Sequence, residues 1–278
     1  MCIRDRAYNS YLVFCNKTIF EENGLELPTT WDELQTVAAT LREKGINPIT
    51  AGFAEDWVFD MVFLPLIAAY NPDNPEILRQ VQDGEVKFNE PNIRKAFEEI
   101  QEMGQTGIFQ DGVQGTKYEA SLALFAQGNA AMLLTGTWSI GGLQTQAPDL
   151  EQGYLVMPPK DAQSIMLADA SQLVAINSGS KNQEAALKFV EFLSSPEIAK
   201  MYSEATGQLS PVNGVENDSP EMQTVTDMMN NSTVINNPNL YLTESKFIEI
   251  YTNTCAKAFM GEDLDTILGE AQTATDAL

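Results

Sequence analysis

Apolar positions recur along the chain at two spacings, and the alternation between them divides it into helices and strands. Helical spacing is clearest after Trp31, where Leu34, Val37, Ala38 and Leu41 form one stripe. Thr30 and Glu33 stand where a capping box needs them, and Gly45 ends the segment. The same spacing returns in Ile93, Phe97 and Ile100, with Glu98, Glu99 and Glu102 on the wet face, and in Ala186, Phe189, Val190 and Leu193. Ser195-Pro196-Glu197 and Ser219-Pro220-Glu221 open further helices. Near the end, Phe247, Ile250, Tyr251 and Thr254 share a face, as do Leu264, Ile267, Leu268 and Ala271. Short unbroken apolar runs predict buried strands at Tyr11 to Cys15, Ala130 to Leu134, Tyr154 to Met157 and Leu173 to Ile176, and Ile46 to Phe53 reads as a further strand. Strand and helix alternate throughout, which predicts a parallel-rich α/β arrangement.

One stretch organises the rest. Thr116-Lys117-Tyr118-Glu119 reads as a capping box opening a helix through Leu122 and Phe125, and Gly128 stops it. The Ala130 run then ends at Thr135-Gly136-Thr137-Trp138. A tryptophan just past the carboxyl end of a buried strand lies where open α/β sheets bind ligands, although by itself it reads equally as a core aromatic. The strand from Ile46 ends in Ala54-Glu55-Asp56-Trp57-Val58-Phe59. Asp56 has the oxygens to accept two hydroxyl hydrogen bonds, and Trp57 or Phe59 the flat surface to stack on the C–H face of a pyranose. The alternative makes Asp56 a helix cap and Trp57 core.

Composition narrows the chemistry. The 278 residues, 44% hydrophobic, suffice for one large or two smaller cores. Sixteen Lys+Arg against 39 Asp+Glu give a formal charge of -23, a field that repels nucleic acid and anionic lipid surfaces. No histidine is present, which removes Ser/His/Asp and Cys/His catalysis and the commonest transition-metal ligand. Cys2, Cys15 and Cys255 are too widely spaced for a zinc site or a disulfide framework; a Cys15–Cys255 bridge and two buried thiols both stay open. There is no phosphate-cradling Gly-rich loop or calcium loop, so no cofactor is expected, and no apolar run approaches the ~18 residues of a membrane span. Met1-Cys2-Ile3-Arg4-Asp5-Arg6 can be encoded by ATG TGT ATA AGA GAC AG, which resembles a transposon-end adapter, so residues 1–6 are expected to be a non-native leader.

Four stretches together resemble the family 1 extracellular solute-binding proteins of carbohydrate ABC importers, the maltose-binding-protein-like family. They are Asn16-Lys17-x-x-Phe20 with Gly24-Leu25-x-x-Pro28-x-Thr30-Trp31-Asp32-Glu33-Leu34, and Phe125-x-x-Gly128-x-Ala130-Ala131-Met132-x-x-x-Gly136-x-Trp138. The others are Ser180-Lys181-Asn182-x-x-x-Ala186-x-x-Phe189-x-x-Phe192-Leu193-x-Ser195-Pro196-Glu197 and Gly207-x-x-x-Pro211. The resemblance implies an α/β, two-lobed, type II periplasmic-binding-protein-like fold with much of the amino-terminal lobe missing. On that template residues 7–15 are a hinge crossing strand, 16–170 the main part of the carboxyl-terminal lobe, 171–235 a remnant of the amino-terminal lobe, and 236–278 closing helices. Helices around Ala186 and Met201 would then leave an apolar patch uncovered.

The resemblance further implies reversible capture of a sugar, with no enzymatic step, and delivery to ABC permease subunits by a monomer. The protein would be extracellular or periplasmic, with a lipid anchor lost together with its amino terminus. Expected ligand contacts are Trp138, Trp57, Asp56, Asp169, Ser171, Asn9 and Ser10, with Phe59, Tyr241 and Phe247 as further candidates. The family often has glycines or an aromatic where this chain has Asp169 and Ser171. Two alternatives stand beside this reading. One is a glycoside-acting enzyme using Asp56 and Asp169 as a carboxylate pair at ~5–10 Å; the other is a binding protein for a non-sugar solute such as a polyamine.

Overall fold

The computed structural model describes residues 3–278, so Cys2 and the first two residues of the expected leader lie outside it. The first half runs β1 (Ile3–Arg4), β2 (Ala7–Asn9), β3 (Tyr11–Asn16), α1 (Lys17–Glu22), α2 (Trp31–Glu43), β4 (Asn47–Thr50), α3 (Asp60–Tyr70), α4 (Ile77–Gln82) and α5 (Pro91–Gln105). Next come α6 (Tyr118–Ala126), β5 (Ala130–Gly136), α7 (Ile140–Gln146), β6 (Gln152–Leu155), β7 (Ile165–Ser171) and β8 (Val174–Ala175). The remainder is α8 (Gln183–Leu193), α9 (Pro196–Thr206), α10 (Pro220–Asn231), β9 (Thr233–Asn236), α11 (Ser245–Phe259) and α12 (Leu264–Thr275).

The main sheet has the order β4-β5-β3-β6, and every residue of β5 is buried, as a strand covered on both faces requires. The expected parallel-rich sheet is corrected to a mixed one. Only β4–β5 and β7–β9 pair in parallel among the described strands, while β3 runs against both β5 and β6. A second sheet, β2-β7-β9, lies beside it, and β1 pairs with β8.

One face of the main sheet carries the larger core, built with Leu34, Phe63, Phe97, Tyr251 and Ile267 from α2, α3, α5, α11 and α12. The other face buries Leu12, Phe14 and Leu133 beneath Phe125, Ile140, Met222 and Val225 of α6, α7 and α10. Helix α10 therefore packs on the main sheet. Cys15 and Cys255 are both free and buried, so the bridge is not formed. The Thr30–Glu33 capping box is present, but Thr116 caps nothing: its hydroxyl accepts from Gln110 and donates to Gly112, and α6 starts uncapped at Tyr118.

Helices α8 and α9 pack differently. Gly207, left-handed at φ 63°, ends α9 against the backbone of Gly141, an approach that a β-carbon at either position would block. Beyond that contact, Leu187, Phe189, Phe192 and Met201 are 41%, 58%, 54% and 59% exposed. This apolar face is covered by nothing among the described residues.

Candidate ligand-binding site

The loop after β5 forms a single 3-10 turn, Thr137–Ser139, in which the Trp138 indole folds back over Gly136. A β-carbon on Gly136 would fall inside the indole, which is why the motif needs glycine two residues before the tryptophan. The turn is pinned to the β2–β3 junction, since Thr137 N–H donates to Ser10 O at 3.0 Å and Ser10 N–H donates to Thr137 Oγ1 at 3.2 Å. Indole Nε1 donates to Tyr118 Oη at 2.7 Å. Tyr118 Oη, Thr135 Oγ1 and Ser139 Oγ lie 2.7 to 2.9 Å apart, close enough for each hydroxyl to donate to the next. The indole is thus fixed from inside the protein, with the Tyr11 ring edge-on to it at 5.9 Å.

Trp57 approaches Tyr118 from the other side. Its ring lies 4.9 Å from the Tyr118 ring, tilted by 58°, and it remains 42% exposed. Glu55 orients both groups, accepting from Trp57 Nε1 at 3.0 Å and from Tyr118 N–H at 3.2 Å. Gly52 makes room by lying against the Tyr118 backbone. Tyr118 is therefore the post on which the two tryptophans meet. From sequence it read only as one apolar position of α6; its hydroxyl role depends on Thr135 and Ser139, which a linear pattern does not bring to it. Trp31, by contrast, is buried core.

The carboxylates are arranged less simply. Asp56 is exposed at the start of a 3-10 turn, Asp56–Phe59. Asp169 is half-buried on β7 opposite Asn9, and burial pushes its carboxyl upward while a hydrogen bond from Asn237 opposes the shift. Asp60, which the sequence did not single out, heads α3. Burial pushes it up to about 7, against hydrogen bonds from Tyr251 and Asn239, and the Asp169 charge adds to the rise. Asp60 is thus the acid whose electrostatics couple to Asp169.

Several expected contacts need correction. Phe59 stacks on Phe53 at 4.3 Å inside the core, and Phe247 is fully buried against Phe88 and Tyr251, so neither ring is free to meet a ligand. Ser10 is fully buried, and the Asn9 side chain is already engaged, its amide donating to Ser171 Oγ at 2.6 Å and accepting from Thr137 at 3.3 Å. Ser171 is half-buried at the end of β7, and Tyr241 half-buried in the 3-10 turn Pro238–Tyr241. Among the described residues no three His, Cys, Asp or Glu side chains gather as a metal site would need, and no helix is long and apolar enough to cross a membrane.

A family model described as bacterial extracellular solute-binding protein matches residues 3–200. The chain is 25% identical over 211 residues to the multiple sugar-binding protein of Streptococcus mutans, covering 74% of this chain and 50% of that protein. It is 28% identical over 209 residues to the sn-glycerol-3-phosphate-binding periplasmic protein UgpB of Escherichia coli, covering 71% and 46%. Among solved structures, a chitin oligosaccharide binding protein superposes with a TM-score of 0.84 at 20% identity, covering 98% of this chain and 70% of that one. RafE in complex with raffinose superposes with a TM-score of 0.80 at 24% identity, covering 99% and 72%. The chain spans about half the length of the curated relatives it matches. Its fold is that of the type II binding proteins, as the sequence motifs imply.

Proposed function

The chain belongs to the bacterial extracellular solute-binding protein family, and from that premise we propose that the whole protein captures a sugar or oligosaccharide between two lobes and hands it to an ABC permease. The observation that carries this reading is the Trp57–Tyr118–Trp138 group. Trp138 is tied through Nε1–H to the Tyr118 hydroxyl and Trp57 packs on the Tyr118 ring while staying 42% exposed, which offers aromatic surface to the C–H face of a sugar ring. Asp169 and Ser171 on β7, with Asp56 and Tyr241, would supply acceptors and donors for hydroxyls. Nothing covalent is required. Closure about the β2–β3 junction supplies the two states that a permease distinguishes. In this reading residues 171–235 are the remnant of the amino-terminal lobe, the apolar face of α8 and α9 being the side that meets the rest of it, and a lipid anchor holds the protein outside the cytoplasm. No observation favours the glycoside-acting or polyamine alternatives.

The test is an oligosaccharide panel titrated into the whole protein while tryptophan emission is followed. A saturable change is expected with at least one sugar, abolished in Trp138→Ala and weakened in Gly136→Ala, whose methyl displaces the indole. Unchanged emission and unchanged calorimetry across the panel would remove the proposal.

A further inference from the structure

At the head of α3 the Asp60 carboxyl, the Tyr251 hydroxyl and the Asn239 amide meet in a triangle. Tyr251 Oη is 2.8 Å from Asp60 Oδ1 and 2.8 Å from Asn239 Oδ1, and Asn239 Nδ2 is 3.1 Å from Asp60 Oδ2. Counting hydrogens decides the charge state. An ionised Asp60 only accepts, so it takes the tyrosine proton and one amide proton, leaving Tyr251 Oη and Asn239 Oδ1 face to face with no hydrogen between them. Turning the amide over moves the bare oxygen pair to Asn239 and Asp60 without removing it. A neutral Asp60 closes the ring: its O–H donates to Tyr251, whose O–H donates to Asn239 Oδ1, whose amide N–H donates back to Asp60. One proton satisfies three side chains.

The surroundings favour that proton. The titratable groups whose electrostatics couple to Asp60 are Asp169 on β7, Tyr11 on β3, and Tyr251 and Cys255 on α11, with no cation among them. Burial pushes Asp60 up to about 7. From the triangle the contacts run on toward the candidate site. Asn239 N–H donates to Asn237 Oδ1 at 3.0 Å, Asn237 Nδ2 donates to Tyr11 Oη at 2.9 Å, and Tyr11 is the ring set edge-on to Trp138.

We infer that Asp60 is held as the neutral acid in a closed ring with Tyr251 and Asn239, and that this ring is a positioning device for the Tyr11–Trp138 edge of the site. Loss of the proton breaks the Tyr251–Asn239 link and loosens the turn that carries Asn237 and Asn239 from α11, while the Asn239 amide still donates to Asp60 on α3. The link to saccharide capture rests on the function proposed above; the ring itself does not.

Carbon-13 labelling of the aspartate carboxyls lets Asp60 be followed by NMR in the 278-residue chain, with Asp60→Asn identifying the signal. A midpoint near 7 is expected, and one near the ordinary value of 3.8 overturns the ring. Asp60→Asn also mimics the neutral acid, since its amide donates to Tyr251 and its oxygen accepts from Asn239. Parent and Asp60→Asn should therefore agree in melting temperature and Trp138 emission at pH 6 and diverge by pH 8.5, where only the parent loses the ring; Asp60→Ala should lack it at both. Other buried acids titrate alike in both chains and cancel in the difference. A parent-minus-variant difference that does not change with pH overturns the positioning role. In the whole protein the apparent Kd for oligosaccharide should rise above the Asp60 midpoint by at most about tenfold per pH unit, and not in Asp60→Asn. If no oligosaccharide binds, the saccharide reading fails, while the carboxyl titration still decides the ring.

Discussion

Helices α5 and α8 carry the same kind of message in sequence and meet opposite fates. Helix α5 buries Ile93, Ala96, Phe97, Ile100 and Met103 almost completely against α3 and α11. Helix α8, with an equally regular apolar stripe, buries only Val190 and leaves Leu187, Phe189 and Phe192 in the open. The difference teaches what periodicity encodes. It records that a face is shaped for burial, and it does not say which part of a protein provides the cover. Because helices in proteins draw most of their stability from packing of that face, the two should respond unequally to the same change.

Paired substitutions sharpen the contrast, and the largest effect belongs to the core. Phe97 packs on Phe63 at 4.8 Å and on Phe88 at 6.3 Å. Phe97→Ala should cost about 3–5 kcal/mol in denaturant unfolding, whereas Phe189→Ala should change stability by less than ~0.5 kcal/mol. Equal losses would show that α8 is packed after all. Phe189→Ser combined with Phe192→Ser should also lower 8-anilinonaphthalene-sulfonate fluorescence; unchanged dye binding would place the accessible apolar surface elsewhere.

A second pair concerns pH. Glu99, on α5, accepts from Tyr70 Oη at 2.7 Å and from Lys160 N–H at 3.1 Å, and burial nevertheless pushes it from the ordinary 4.5 up to about 7. In that window the unfolded chain has already lost the proton that the folded chain keeps. Stability present at pH 4.5 therefore declines as pH rises toward 7, by on the order of 2 kcal/mol. Glu99→Gln should flatten that slope, while Glu184→Gln, on an α8 side chain 85% exposed, should leave it unchanged. A parent slope that rises over this range would contradict the account.

The smallest expected difference lies at the helix starts. Thr30 accepts from Glu33 N–H at 3.3 Å and Glu33 returns a bond to Thr30 N–H at 3.2 Å, so Thr30→Ala should cost about 1 kcal/mol. Asn182, which precedes α8, makes no side-chain capping bond, and Asn182→Ala should be close to neutral by the same unfolding measurement.

Much of the fold was legible because its signals are local. Thr30 with Glu33, Gly128 after α6 and the all-apolar β5 each announce an element from a handful of adjacent residues. The misreadings share a cause. Thr116 looked like a cap, yet its hydroxyl is taken by Gln110 and Gly112, and Phe247 looked like a cleft aromatic until Phe88 and Tyr251 closed over it. In the site, Gly136 and Trp138 could be read two residues apart. Tyr118 and Asp60 could not, because the Trp138 indole that Tyr118 accepts stands 20 positions away, and the Asn239 and Tyr251 partners of Asp60 stand 179 and 191 positions away. Chemistry assembled from such distant partners leaves no pattern along the chain.

The central claim is that Tyr118 holds Trp57 and Trp138 as one sugar-facing surface. Tyr118→Phe removes only the hydroxyl that accepts the indole N–H. In calorimetric titration of the whole protein with the best-bound oligosaccharide, it should weaken binding on the order of tenfold, the equivalent of one lost hydrogen bond at about 1.4 kcal/mol, with the fold intact by circular dichroism. An affinity unchanged in Tyr118→Phe and in Trp138→Ala alike would contradict the account.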